Sequence, residues 1–185
     1  EIYFSSNRPG GYGGKDIYRI KKLPNGKWSM PYNLGSAINT SNNEDDPFLH
    51  PDGVTFYFSS DGHNTIGEYD VFRAVLNSET NEFSVPENLG YPINSVGNDR
   101  FLVLSGDGKN GYYSSVKEDT KGLSDIYEID TRFGDNDLLV KHAYIFKDNL
   151  PGKAKITLLE NENKKIAGIY HSNSKTGKFI LLMNP

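Results

Sequence analysis

The chain has 185 residues, a net charge of −4, 36% hydrophobic and 12% aromatic residues, and no cysteine. Disulfide staples and thiolate metal sites are therefore excluded, and the acidic balance argues against nucleic acid as the main partner. No apolar run approaches the roughly 20 residues that a membrane-crossing helix needs.

Twelve Tyr and ten Phe favour strands, while nineteen Gly and nine Pro punctuate many short elements. The expected class is all-β. The chain opens on "EIYFSS", which reads as the middle of a strand, and closes on "FILLMNP", the end of one. It is expected to be an internal piece of a longer protein, so a missing targeting signal carries no information.

The first stretch, "IYFSSNRPGGYGGKDIYRI", is a strand, a glycine-crowded loop and a second strand. A phosphate-gripping loop needs Gly, four residues, then Gly-Lys-Ser/Thr. Counting back from Gly14-Lys15 puts Pro9 at the first glycine, and Asp16 stands where the hydroxyl belongs. A dinucleotide fingerprint fails too, because Asp16 replaces its third glycine and a strand follows instead of a helix. The loop reads as a nine-residue hairpin connection, Asn7–Lys15, with Arg8 and Tyr12 as candidate protein contacts.

The same pattern returns with a period of about 55 residues. "FYFSSDGHNTIGEYDVFRA" and "GYYSSVKEDTKGLSDIYEI" align with the first stretch, as "FSVPENLGYPIN" does with "WSMPYNLGSAIN". Ser5-Ser6, Ser59-Ser60 and Ser114-Ser115 each precede Asp16, Asp70 and Asp125 by nine intervening residues. In the complete unit the strands are expected at Phe48–His50, Thr55–Ser59, Asp70–Val75 and Glu82–Val85. Asn25-Gly26, Asp52-Gly53 and Asp107-Gly108 are tight-turn signals between them. Four antiparallel strands per unit make the blade of a β-propeller. The chain would then hold the outer part of one blade, one full blade and most of a third. Closed rings have about four to eight blades, so the others are expected upstream.

Residues 138–185 change character, with eight Lys against three acidic residues, and no longer repeat the unit. Strands are expected near 139–146, 154–160, 165–171 and 178–183. The expected division is therefore 1–137, the repeats, and 138–185, the start of a β-sandwich.

"DDPFLHPDGVTFYFSSDG…YDVFRA" resembles the TolB-type propeller repeat. Its spacing with "NLG…IN" is similar to the version in OmpA-family envelope proteins of Bacteroidota. "PGKAKITLLE" and "SNSKTGKFILLMNP" resemble the start of a carboxypeptidase-regulatory-like domain. The resemblance implies a periplasmic, outer-membrane-associated scaffold that contacts other envelope proteins, as PorE-like components of type IX secretion do. Peptidoglycan would be reached only through an OmpA-like domain that the chain does not contain. No enzyme activity and no cofactor are implied.

Residue by residue, the chemistry-bearing groups read first as architecture. The Ser-Ser pairs recur beside no recurring His, so strand-end residues capping a turn explain them better than a nucleophile does. His50, His63, His142 and His171 lack metal-ligand spacing. Asp16, Asp70 and Asp125 should accept hydrogen bonds from a neighbouring loop. Ile17, Val71 and Ile126 should face the core between blades, and Trp28 and Phe83 should pack on the blade face. The cluster Glu44-Asp45-Asp46, with Asn98-Asp99-Arg100 as its equivalent, precedes the innermost strand. It reads as a solvated turn, a protein-contact patch or an acidic calcium site, although calcium-loop spacing is absent. Two other functions stay open. One is carbohydrate binding on Tyr12, Tyr32 and Tyr91. The other is a hydrolase site in the channel.

Overall fold

The computed structural model describes residues 1–117, 120–130, 139–159, 166–173 and 175–183, and among them every regular element is a strand. The first repeat gives β1 (Ile2–Ser6), β2 (Asp16–Ile20) and β3 (Tyr32–Asn33), hydrogen-bonded in that order. The second gives β4 (Glu44–Leu49), β5 (Thr55–Ser60), β6 (Asp70–Asn77), β7 (Glu82–Phe83) and β8 (Glu87–Asn88). The third gives β9 (Asp99–Leu104), β10 (Asn110–Ser115) and β11 (Asp125–Asp130), in the order β11-β10-β9. All these pairings are antiparallel.

Two strand boundaries differ from expectation. The fourth strand is split into β7 and β8, which both pair with β6. Pro86 lies between them and has no N–H to give a ladder. The first strand begins at Glu44, ahead of Phe48, and carries a register shift between Asp45 and Phe48 with Asp46 at φ 53°. Phe101 repeats this in β9 at φ 60°. Such a bulge breaks the period-two alternation on which sequence reading depends.

The cores lie between successive repeats. Ile17, Leu34 and Ile38 of the first pack with Phe56, Phe58, Phe72 and Ala74 of the second. Val71 of the second packs with Leu102 and Tyr113 of the third. Each fully buried Phe contributes roughly 1.5–3 kcal/mol over an exposed one. Ile17 and Val71 thus face the core as expected, but Ile126 is 79% exposed. No described sheet follows the third repeat as the second and third follow Ile17 and Val71. Phe83 packs on Phe56 at 5.0 Å between ring centroids, whereas Trp28 is 46% exposed. The expected turns hold Gly26, Gly53 and Gly108 at positive φ.

One glycine of the variable loop is fixed, which the sequence comparison passed over. Gly13, Gly67 and Gly122 each stand three residues before the recurring Asp. A Cβ on Gly67 would fall 2.5 Å from Ser95 O and against Gly97 O, both backbone atoms of the segment entering the next repeat. Gly67→Ala is therefore expected to lose about 2–3 kcal/mol, since backbone cannot yield as a side chain does. Urea unfolding reads this directly, and an unchanged midpoint would refute the close approach.

In the C-terminal part β12 (Leu139–Tyr144) pairs with β17 (Lys178–Met183), and β15 (Lys155–Leu159) with β16 (Ile166–His171). β13 (Phe146–Lys147) and β14 (Leu150–Pro151) form a hairpin. Its two-residue turn, Asp148-Asn149, has both φ positive, the geometry that matches strand twist. The expected strand ends at 160 and 165 and the boundary at 137/138 lie outside the described residues. This part touches the second and third repeats. Lys178 Nζ donates to Thr65 O (2.7 Å), Asn173 Nδ2 to Val96 O (2.6 Å), and Lys175 pairs with Glu68 (2.9 Å).

Candidate functional site at the loop face

The loop-facing strand ends gather most of the ionisable groups singled out in the sequence. Their geometry starts with the recurring Asp. Asp16 accepts the N–H groups of Tyr12 (2.6 Å) and Gly13 (3.0 Å) and Asn33 Nδ2 (2.7 Å). Asp70 accepts those of Ile66 (2.5 Å) and Gly67 (3.1 Å) and Asn88 Nδ2 (2.7 Å). Asp125 accepts the Lys121 N–H at 3.0 Å. Each loop is thus closed by the carboxylate that begins the next strand.

The "NLG…IN" segments complete the same unit. Asn39 accepts the Ile17 N–H and donates to Ile17 O and Asn33 Oδ1. Asn94 does the same with Val71 and Asn88. Both Asn residues are buried and fully matched. Sequence comparison shows the motif recurring, but its partners are distant in the chain and had no signal.

The second serine of each pair meets an acid. Ser60 Oγ donates to Glu44 (2.8 Å), and Thr40 gives Glu44 its N–H and hydroxyl. Ser115 Oγ donates to Asp99, which also accepts the N–H and hydroxyl of Ser95. Glu44 therefore matches Asp99, and Asp45 matches Arg100. The expected pairing of Glu44-Asp45-Asp46 with Asn98-Asp99-Arg100 was one residue out, whereas the constant offset that relates Ser60 to Ser115 gives the observed match.

Asp45 and Asp46 join three repeats. Asp45 accepts from Ser5 and Lys15 of the first (Lys15 Nζ at 2.7 Å) and from Arg100 of the third (2.8 Å). Arg100 also grips Asp46 through Nε (2.8 Å) and Nη2 (3.1 Å). Burial pushes the Asp45 carboxyl up, but bonds from Lys15, Ser5 and the Asp46 N–H outweigh it and hold it below the usual range. The Arg100 guanidinium lies between the rings of Tyr69 (4.6 Å) and Phe101 (4.7 Å).

A cavity of about 770 Å³ opens beside this cluster, walled by Asp61, Tyr69, Arg100, Phe101, Ser114 and Lys178. Its charges are largely matched within the fold. Asp61 accepts from the Asn43 N–H and Nδ2, and Lys178 is held by Thr65. Tyr69 is pushed up to about 12 by burial and then by Asp61, so its hydroxyl stays protonated at neutral pH.

Asn98 also lines this cavity, and the remaining expected residues fall elsewhere. Asn98 donates to Glu68 (2.6 Å) and accepts from the Tyr69 N–H. Arg8 lies over the rings of Phe4 and Tyr18, while Tyr12 is 54% exposed. Tyr32 and Tyr91 are also exposed, and neither lines the cavity. His50 and His63 each donate to a backbone carbonyl, Ser105 O and Ile38 O. Among the described residues no group of three or more His, Asp or Glu side chains is placed to hold a metal ion.

Burial raises Asp99 to about 6, despite the bonds from Ser115 and Ser95, and raises Asp70 in the same direction. The folded state then binds the Asp99 proton more tightly than the unfolded chain, whose carboxyl titrates near the ordinary 3.8. Stability from this group is full below the unfolded value and is lost as pH rises through about 4–6, by about 3 kcal/mol in all. The carboxylates held low, such as Asp45, Glu68 and Asp107, act oppositely, and only on further acidification. Urea unfolding should therefore show higher stability at pH 5 than at pH 7, and Asp99→Asn should flatten the difference. Lower stability at pH 5 in the parent protein would contradict this. No protein-family model matches the chain, and no curated protein is significantly similar to it.

Proposed function

We propose that the chain is part of a non-enzymatic cell-envelope scaffold whose repeat sheets are propeller blades and whose loop face binds other proteins. One observation supports this most. The recurring acids are spent on hydrogen bonds inside the fold, while the loops they close keep one length and vary in content. The first of those loops, around Tyr12, is exposed. A rigid frame carrying variable loops is the arrangement on which binding surfaces are built. On this reading the C-terminal strands begin a carboxypeptidase-regulatory-like sandwich. The whole would sit in the periplasm near the outer membrane, as PorE-like components of type IX secretion do. Peptidoglycan would be engaged by a domain beyond this chain.

The test is affinity capture from a Bacteroidota envelope extract with the parent chain and an Arg8→Ala/Tyr12→Ala variant. A protein retained by the parent and lost by the folded variant supports the reading. Capture of nothing, together with calorimetric heat on titration with oligosaccharides, would transfer the assignment to carbohydrate binding.

A further inference from the structure

Arg19 in β2 is a buried cation without a full set of partners. Its side chain is 6% exposed, and among the described residues its Nε has no hydrogen-bond partner. Nη1 donates to Asn81 Oδ1 at 3.1 Å. Among the described residues the nearest carboxylate, Glu1, stands 3.8 Å away and is itself held by Lys21 (2.9 Å) and the Tyr3 hydroxyl (3.1 Å). A buried guanidinium normally acquires a matched acceptor, because taking the charge out of water is unfavourable.

The second repeat shows what is missing. Arg73 occupies the same place in β6, faces Glu87 across the sheet and bonds it at 2.7 Å. Arg19 faces Tyr32 at the position equivalent to Glu87 and meets only the ring face, 5.5 Å from its centroid. The first repeat has exchanged the carboxylate for an aromatic ring and buried the arginine. Arg19 also lines a cavity of about 480 Å³ between the first two repeats, with Glu1, Tyr3, Leu49, Leu76 and Asn81.

We propose that this cavity is a carboxylate-recognition site, taking a carboxylate carried beside an apolar group of a partner polypeptide. The guanidinium supplies the charge and Leu49, Leu76 and the Tyr3 ring supply the apolar wall. Such a group exists at a chain end with an aliphatic last residue and at an internal Asp or Glu beside one. N-acetyl-leucine represents the first source and N-acetyl-leucyl-glutamyl-amide the second.

Titrating each into the isotopically labelled protein, and following the Arg19 Nε–H signal, tests the site. Saturable binding of at least one probe with movement of that signal is expected, and N-acetyl-leucinamide should not bind. Whichever probe binds identifies the source. Arg19→Lys should weaken binding by about tenfold, because the lysine cannot offer the paired donors. Asn81→Asp, which supplies the carboxylate from within, should raise the melting temperature and abolish binding even if Arg19→Lys folds poorly. Equal binding of the amide, or no saturable binding by either carboxylate, overturns the proposal.

Discussion

Asp70→Ala is expected to unfold with about 3 kcal/mol less free energy than the parent protein, the sum of several orphaned donors offset by release of a buried charge. The side chain is fully buried and accepts three hydrogen bonds, from Ile66, Gly67 and Asn88. Without it, Asn88 loses the partner that orients its Oδ1 towards the Gly90 N–H and Asn94. Asn94 in turn holds both backbone groups of Val71, whose side chain enters the second core. The loss should therefore spread from the loop into the packing between repeats. Asp125→Ala is the internal comparison. That residue is only half-buried and closes the loop of the third sheet through Lys121, so about 1 kcal/mol is expected. Chemical denaturation of both variants checks the difference, and equal losses would show that burial does not set the effect.

Arg100→Ala should lose a similar amount, about 3 kcal/mol, because it strands buried carboxylates rather than removing an exposed pair. Asp45 and Asp46 are only 8% and 6% exposed at their side chains, against 26% for Arg100. Asp45 keeps Lys15 and Ser5. Asp46 loses the two bonds that Arg100 gives it. The guanidinium also fills the space between Tyr69 and Phe101, so part of the loss is packing. Arg100→Lys keeps the charge but not the two-pronged grip and should fall between. Both variants are compared with the parent by denaturation at low and high salt. The deficit of Arg100→Ala should persist at high salt, because buried pairs are weakly screened.

The all-β class, the repeat and its tight turns were legible because strands and turns leave local marks. Phe56 and Phe58 alternate with Thr55 and Tyr57, and Gly26, Gly53 and Gly108 sit at their positive-φ positions. The loop-closing role of Asp16 and Asp70 was legible from recurrence alone. What failed was anything that crosses a bulge or joins distant segments. Asp46 and Phe101 each insert a left-handed residue into an edge strand, which hid the strand start. The junction of Lys15, Asp45 and Arg100 spans three repeats, and no spacing rule reports it. The role of Gly67 depends on backbone carbonyls of residues 95 and 97, equally remote in sequence.

The acidic cluster is thus a clamp between repeats, and a double-mutant cycle on Arg100→Ala and Asp46→Asn tests this most directly. Unfolding free energies of the parent, both single variants and the double variant give the coupling between the two side chains. A coupling of about 2 kcal/mol is predicted, with the double variant recovering much of what Arg100→Ala loses. Additivity within about 0.3 kcal/mol would show the two residues acting independently and would contradict the clamp.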